Sequence, residues 1–140
     1  MSNIDILTTH EYGAMTDTEL FLKKFQKELA AGTVSLVLLT VLLRANQPLY
    51  GYQIAKQLDG SSEGVIAGKQ SALYPVLRNL EAAGLAESDI EPSISGPPRR
   101  YYRITELGRE VQRTWAESWA ATRAFVDRTL VDMTLAEKPA

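Results

Sequence analysis

The sequence contains no cysteine and only one histidine, and these two absences exclude most of the chemistry of small enzymes. Without cysteine the chain forms no disulfide, no thiolate nucleophile and no Cys-based zinc site. His10 alone supports no catalytic triad, no His-based metal site and no His-centred acid–base pair. No Gly-rich phosphate loop follows a predicted strand. We therefore expect no enzymatic activity, no cofactor and no metal.

The sequence also lacks an excess of basic charge. It has 15 Lys and Arg residues against 17 Asp and Glu residues, a net charge of −2 and a pI near 5.4. Such a chain does not coat nucleic acid indiscriminately, although the local field at a contact face can still favour DNA. The first 20 residues show no basic, apolar leader, and the apolar run Val34–Leu43 is far shorter than the ~20 residues of a spanning helix. Together with the lack of cysteine, this predicts a cytoplasmic protein.

A capping box predicts the start of the first helix. Thr16 is followed three positions later by Glu19, and the helix runs to about Ala31. Gly32 either ends this helix or is tolerated within a longer one. From Val34 to Leu43 apolar residues occupy nearly every side, which predicts a central, buried helix.

Two further helices predict a helix-turn-helix with a long turn. The first is the short helix Gly51–Leu58, followed by a Gly- and Ser-rich linker over residues 60–68. The second runs from Lys69 to about Ala83. Its apolar residues match the i, i+3, i+4, i+7 template: Leu73, Val76, Leu77 and Leu80.

A β-hairpin wing is predicted after this helix. Leu85–Glu91 and Arg99–Thr105 alternate with period two, and residues 92–98 join them. A long helix, about Glu106–Val131, then carries an apolar stripe: Leu107, Val111, Trp115, Trp119, Thr122 and Val126. The stripe is longer than so small a domain can cover, so we expect a homodimer.

The predicted fold class is mainly α with a small β-hairpin wing, a winged helix-turn-helix with a long C-terminal dimerisation helix. Residues 1–15 lack helical periodicity and are expected to form a flexible N-terminal arm. Residues 16–105 are the predicted DNA-binding domain, and residues 106–140 the dimerisation helix and tail.

The predicted second helix of the helix-turn-helix carries candidate DNA-binding residues. At ~100° per residue, Ser71, Tyr74 and Arg78 share one stripe away from the leucines, so they are free to enter a major groove. Lys69 and Gln70 lie in the first turn, where side chains and backbone N–H groups reach phosphate or base edges. Taken alone, a polar helix face of this kind is more often simply exposed to solvent than bound to DNA, but the predicted wing favours DNA binding.

Pro75 conflicts with a helix that starts at Lys69, since proline inside a helix costs about 3 kcal/mol. Two alternatives are open. The helix bends near its start and brings Tyr74 forward, or it starts later and Pro75 lies in its first turn.

Arg99 and Arg100 lie beside the predicted tip of the wing, where planar guanidinium groups can grip phosphate. The alternative is that they pair across the ribbon with acidic residues, for ~0.5 kcal/mol each. The acidic candidates are Glu87, Asp89 and Glu91. Tyr101 and Tyr102 point to opposite faces, so at least one belongs to the core.

Trp115 and Trp119 lie one turn apart on the last helix, with Arg123 a further turn along. Indole rings are good platforms for a flat ligand, and Arg123 would favour an anionic aromatic guest. Tryptophan is also a favoured anchor of protein–protein contacts. For Trp119, ligand stacking and a protein–protein interface are about equally favoured, whereas for Trp115 the interface is favoured.

Several segments together resemble the PadR family of bacterial transcriptional regulators, over about residues 27–130. They are Pro48–Ile54, Leu73–Pro75, Leu80–Leu85 and Gly96–Thr105. The resemblance implies a winged helix-turn-helix whose C-terminal helix contacts a partner subunit, in the smaller branch of the family. It also implies repression of genes for detoxification, efflux or phenolic-acid metabolism, relieved by a small aromatic molecule.

Two features depart from the family pattern. Trp119 occupies the position at which some multidrug-binding members stack flat ligands, but Arg123 stands where such members have an acidic residue. The resemblance offers no role for residues 1–15. We expect a homodimeric repressor that binds a palindromic operator in double-stranded DNA and responds to a small aromatic effector. The alternative is a ligand-independent winged-helix protein-interaction module.

Overall fold

The computed structural model describes residues 14–58 and 70–137. Within these ranges the chain forms four helices and one three-stranded antiparallel sheet. In chain order the elements are α1 (Asp17–Ala45), β1 (Leu49–Tyr50), α2 (Gly51–Leu58), α3 (Gln70–Ala82), β2 (Ala86–Ser93), β3 (Gly96–Ile104) and α4 (Glu106–Glu137). The predicted fold class is confirmed. The predicted arm falls almost entirely outside the described residues.

Helix α1 is one continuous helix of 29 residues. The predicted capping box is present: the Thr16 hydroxyl accepts a hydrogen bond from the Glu19 N–H at 3.1 Å, and the Thr16 N–H donates to Glu19 Oε1 at 2.8 Å. The backbone hydrogen bond from Thr16 lowers the pKa of Glu19. Of the two alternatives for Gly32, the longer helix is correct, since α1 continues to Ala45 and ends at Asn46 with φ of 58°.

The C-terminal half of α1 lies in the core, as predicted for Val34–Leu43. By length and hydropathy α1 is long and apolar enough to cross a membrane, but core helices of water-soluble proteins share those properties. Leu38 and Leu39 have no exposed surface, and Thr40 accepts a hydrogen bond from the Gln112 amide of α4 at 3.0 Å. The apolar half of α1 is therefore a packing surface for the other elements.

The core lies where α1, α2, α3 and the sheet meet. Its largest buried side chains are Leu38, Leu39, Leu42, Leu49, Ile54, Leu58, Leu73, Leu77, Leu80, Leu85 and Tyr102. Tyr102 is 1% exposed, so the expectation that one of the paired tyrosines belongs to the core is confirmed. Burial raises the pKa of Tyr102.

The hairpin is longer than predicted, and the sheet has a strand that was not predicted. Strands β2 and β3 pair as far as Ser93 and Gly96, so the predicted joining segment 92–98 is wrong and only Ile94 and Ser95 form the turn. Pro92 is accommodated because the register shifts between Glu91 and Ser93, where a residue drops out of the ladder. The short strand β1 pairs with the other edge of β3.

A compact junction joins α3, the wing and α4. Gly84, with φ of 81°, ends α3 in the left-handed conformation. The Thr105 hydroxyl donates to the Gly84 carbonyl at 2.7 Å and accepts from the Gly108 N–H at 3.0 Å. The Thr105 N–H donates to the Leu85 carbonyl at 3.1 Å. One residue thus caps α4 and fastens it to the end of α3.

Gly108→Ala should destabilise the protein because a Cβ at this position would collide with the Leu85 carbonyl oxygen and the Ile104 side chain. The backbone oxygen cannot rotate away, so we expect a loss of roughly 3 kcal/mol of unfolding free energy. Urea unfolding measures it. Arg109→Ala, at the exposed neighbouring position, is the control and should change stability by less than about 0.5 kcal/mol. Equal stability of the two variants would contradict the packing described for the junction.

Candidate nucleic-acid interface

A groove of about 480 Å³ lies between α3 and the wing, and it collects several of the predicted DNA-binding residues. Tyr74 comes from α3, and Arg99 and Arg100 come from β3. Tyr50 and Tyr52, which the sequence analysis did not single out, also line it. The groove is therefore built from β1, α2, α3 and the hairpin together.

Arg99 stacks on an aromatic ring. Its guanidinium carbon lies 4.4 Å from the centroid of the Tyr50 ring, which in turn meets the Tyr101 ring edge-on at 5.3 Å. Among the described residues Arg99 forms no ion pair, and the predicted alternative of pairing with Glu91 is not adopted although the two residues are opposite each other. A stacked guanidinium keeps its N–H donors at the edge of its plane, where they can bind phosphate.

Arg100 is tied to α3 through a serine. Its Nη1 donates to the Ser88 hydroxyl at 2.9 Å, and that hydroxyl donates to Glu81 Oε2 at 2.8 Å. Ser88 lies on β2 and Glu81 on α3, so the chain of hydrogen bonds links the wing to the helix. Arg100 uses one of its N–H donors in this link, and the residue is otherwise exposed.

Arg103 pairs with two of the three acidic residues that were considered for Arg99 and Arg100. Its Nε lies 3.0 Å from Glu87 Oε1 and its Nη1 lies 2.6 Å from Asp89 Oδ2. Glu87 is directly opposite Arg103 in the ladder, which explains the choice. The hydrogen bond from Arg103 to Asp89 raises the pKa of Arg103. With its charge offset by two carboxylates, Arg103 is a poorer phosphate ligand than Arg99.

The expectation that Tyr74 stands clear of the core is wrong. Its side chain is half-buried and packs against the buried core cluster, and its ring occupies the space beside Gly51 that a side chain there would fill. Tyr74 still lines the groove, so the part of its side chain that faces the groove can contact DNA. Arg78 is exposed on α3, as predicted.

The start of α3 is described from Gln70 for its backbone only. Lys69, and the side chains of Gln70 and Ser71, lie outside the described part of the chain, so their proposed contacts stay predictions. Pro75 lies inside α3, five residues after Gln70, and the alternative of a later helix start is therefore wrong.

A second groove, of about 380 Å³, lies between α1 and α4. Trp115 and Trp119 form its α4 wall, and Leu29 and Leu36 lie on the α1 side. Trp115 is half-buried and packs against the core, whereas Trp119 is 41% exposed. Arg123 is not part of the lining, and its Nε lies 3.5 Å from Asp127 Oδ2 one turn along.

A profile of the transcriptional regulator PadR-like family matches residues 38–114, which include the helix-turn-helix, the wing and the start of α4. The chain belongs to this family. The resemblance noted in the sequence is thereby confirmed.

Solved structures of PadR-family proteins share the fold. The chain is 31% identical to a PadR family transcriptional regulator from Eggerthella lenta, with a TM-score of 0.64 over 81% of this chain and 95% of that one. A PadR family transcription regulator from Clostridium difficile is 26% identical, with a TM-score of 0.59 over 71% of this chain and 99% of that one. An uncharacterized protein from Lysinibacillus sphaericus is 26% identical over 102 residues, 73% of this chain and 92% of that protein.

Sequence reasoning missed Tyr50 and Tyr52 as parts of this surface, and it missed Arg103 as the partner of Glu87 and Asp89. The pairing of Arg103 with Glu87 does not follow from the position of the turn alone, because the register shift between Glu91 and Ser93 displaces the ladder by one residue. Tyr50 was harder to find because β1 has only two residues, too few for a periodic pattern.

Two of the three arginines of β3, Arg99 and Arg103, should respond differently to substitution. Arg99→Ala should make the log–log salt dependence of DNA affinity shallower by about 2 per dimer, because each phosphate contact contributes about 0.9. Arg103→Ala is the matched control and should leave the slope unchanged, since its charge is already paired. Fluorescence anisotropy with a labelled duplex, at salt concentrations from about 50 to about 300 mM, measures the slopes of both variants. A decrease in the salt slope for Arg103→Ala as large as that for Arg99→Ala would refute the assignment of Arg99 as the phosphate ligand.

Proposed function

We propose that this PadR-family regulator acts in the cytoplasm as a homodimer that binds a palindromic DNA operator, represses transcription, and is released by a small aromatic molecule. The observation that carries the proposal is the shared groove between α3 and the wing. Tyr74, Arg99 and Arg100 meet there on one surface. The regulators from Eggerthella lenta and Clostridium difficile support the regulatory part of the proposal.

The division of labour follows from the two elements that meet at the groove. Helix α3 is proposed to enter the major groove, with Arg78 reading base edges, because arginine pairs with guanine in bidentate fashion. Arg99 and Arg100 are proposed to hold phosphate from the wing. Lys69, Gln70 and Ser71 would add contacts at the start of α3.

The dimer is supported by apolar side chains that the described part of the chain leaves uncovered. On α4, Phe125 is 62% exposed and Val126 is 44% exposed; on α1, Phe21 and Phe25 are 65% and 57% exposed. An apolar set of this size on two long helices is more than scattered surface residues. A second copy covers it most simply, since both helices are then buried by their counterparts.

Selection from random duplex DNA tests the function. We expect a palindrome with half-sites ~34 Å apart, one helical turn, because a two-fold dimer presents two copies of α3 to successive major grooves. Arg78→Ala should relax the base preference within each half-site, whereas Arg99→Ala should weaken all sequences alike.

Val126→Glu is the dimer variant for the same experiment, and it should sediment as a monomer at micromolar concentration and select no palindrome. Ala124→Glu, which lies on a side of α4 away from both Phe125 and Val126, is its matched control and should remain dimeric. Recovery of no enriched sequence by the unsubstituted protein would refute operator binding.

The groove between α1 and α4 is the proposed effector site. Its volume of about 380 Å³ lies in the range of small-molecule sites, and Trp119 offers an exposed indole face. Trp115 fits a packing role better, because it lies against the core. Arg123 adds a positive charge near the groove, and Asp127 partly neutralises that charge. The preference of the groove for anionic aromatic molecules should therefore be weak.

Tryptophan fluorescence tests the effector site. Hydroxylated aromatic acids should quench the emission, and the quenching should vanish in Trp119→Leu because the stacking face is gone. Trp115→Phe, which leaves Trp119 as the only tryptophan, is the control and should keep most of the quenching. A panel of anionic, neutral and cationic aromatics reports the effect of Arg123. No response to any of them, with operator binding intact, would support a ligand-independent protein.

A further inference from the structure

A row of aromatic rings runs from the base of the wing to α2. The Tyr50 ring lies close to the Arg99 guanidinium and to two further rings, Tyr101 edge-on at 5.3 Å and Tyr52 stacked at 6.3 Å. At the α2 end, the Lys56 ammonium lies 5.9 Å from the centroid of the Tyr52 ring. Tyr50 is thus the ring that connects the wing arginine to the helix-turn-helix.

The position of Tyr50 is fixed by backbone structure on both sides. Strand β1 pairs with β3, and the register sets Tyr50 opposite Tyr101. The Tyr50 N–H donates to Gln53 Oε1 at 3.1 Å, which ties it to the first turn of α2. The residue is half-buried, so its ring has few alternative orientations. Arg99, in contrast, is exposed and has four rotatable bonds.

A ring held in place beside an exposed arginine side chain changes how its guanidinium binds phosphate. A free arginine side chain loses rotamer freedom when it binds, and this loss weakens binding. A guanidinium already stacked on a ring has lost part of that freedom, while its N–H donors stay at the edge of the plane. Among the described residues, Arg99 is the arginine of β3 held in this way, since Arg100 and Arg103 are held by hydrogen bonds.

We propose that Tyr50 is a positioning residue for the DNA clamp: its ring holds Arg99 in place for a DNA phosphate without contacting the DNA itself. The inference rests on the proposed DNA binding and adds a residue to it. Its specific consequence is that Tyr50 and Arg99 act as one unit, so removal of the ring has an effect only while the arginine is present.

A double-mutant cycle on the affinity for the selected duplex tests this role. Tyr50→Leu should weaken binding about ten-fold per dimer, since two stacked pairs are lost. Tyr50→Phe keeps the ring and should bind within about two-fold of the unsubstituted protein. In the Arg99→Ala background, Tyr50→Leu should cause no further loss beyond about two-fold.

Two results would overturn the role of Tyr50. One is a loss from Tyr50→Leu that is as large without Arg99 as with it, which would mean that Tyr50 acts on DNA directly. The other is a loss from Tyr50→Phe that equals the loss from Tyr50→Leu, which would assign the effect to the hydroxyl. Tyr50→Met serves as the second ring-deleting variant if Tyr50→Leu does not fold. Failure of the unsubstituted protein to bind any duplex would instead refute the proposed function.

Discussion

The arrangement of this protein depends on the junction at Thr105. This residue bonds through its hydroxyl to the Gly84 carbonyl and through its N–H to the Leu85 carbonyl, and it also caps α4 through Gly108. The end of α3, the start of β2, the end of β3 and the start of α4 therefore meet within a few hydrogen bonds. Because the wing and α4 leave from the same point on α3, their directions are set relative to the helix proposed to read DNA.

The three arginines of β3 illustrate how environment assigns different roles to identical side chains. Arg103 is neutralised by two carboxylates, Arg100 is linked to α3 through Ser88, and Arg99 lies over an aromatic ring and forms no ion pair with another described residue. Charge alone marks all three as phosphate ligands. The strand register and the short strand β1 separate them, and those depend on which segments pair in three dimensions.

The sequence predicted the elements better than it predicted their contacts. The period of 3.6 in α3 and the alternation of the hairpin strands are local signals, and both elements are present as expected. Whether the first helix ends at Gly32 was not predictable from the sequence. Packing of the second half of α1 against the core keeps the helix continuous through a residue type that locally disfavours helix. Tyr74 was misplaced for a related reason: the space for its ring exists only because Gly51, distant in sequence, has no side chain.

Helix α4 connects the two candidate sites physically. It begins at the junction, and Trp115 and Trp119 lie about 14 and 20 Å along its axis from Glu106, at 1.5 Å per residue. In the proposed dimer α4 also sets the separation of the two α3 helices. A ligand that stacks on Trp119 can shift the protein only towards the arrangement of α1 and α4 that it binds better. If α4 moves as a unit from its junction at Thr105, the proposed shift would change the spacing of the α3 helices rather than their internal structure. The proposed operator release would then require no unfolding of the DNA-binding domain, only a separation that no longer matches one turn of the double helix.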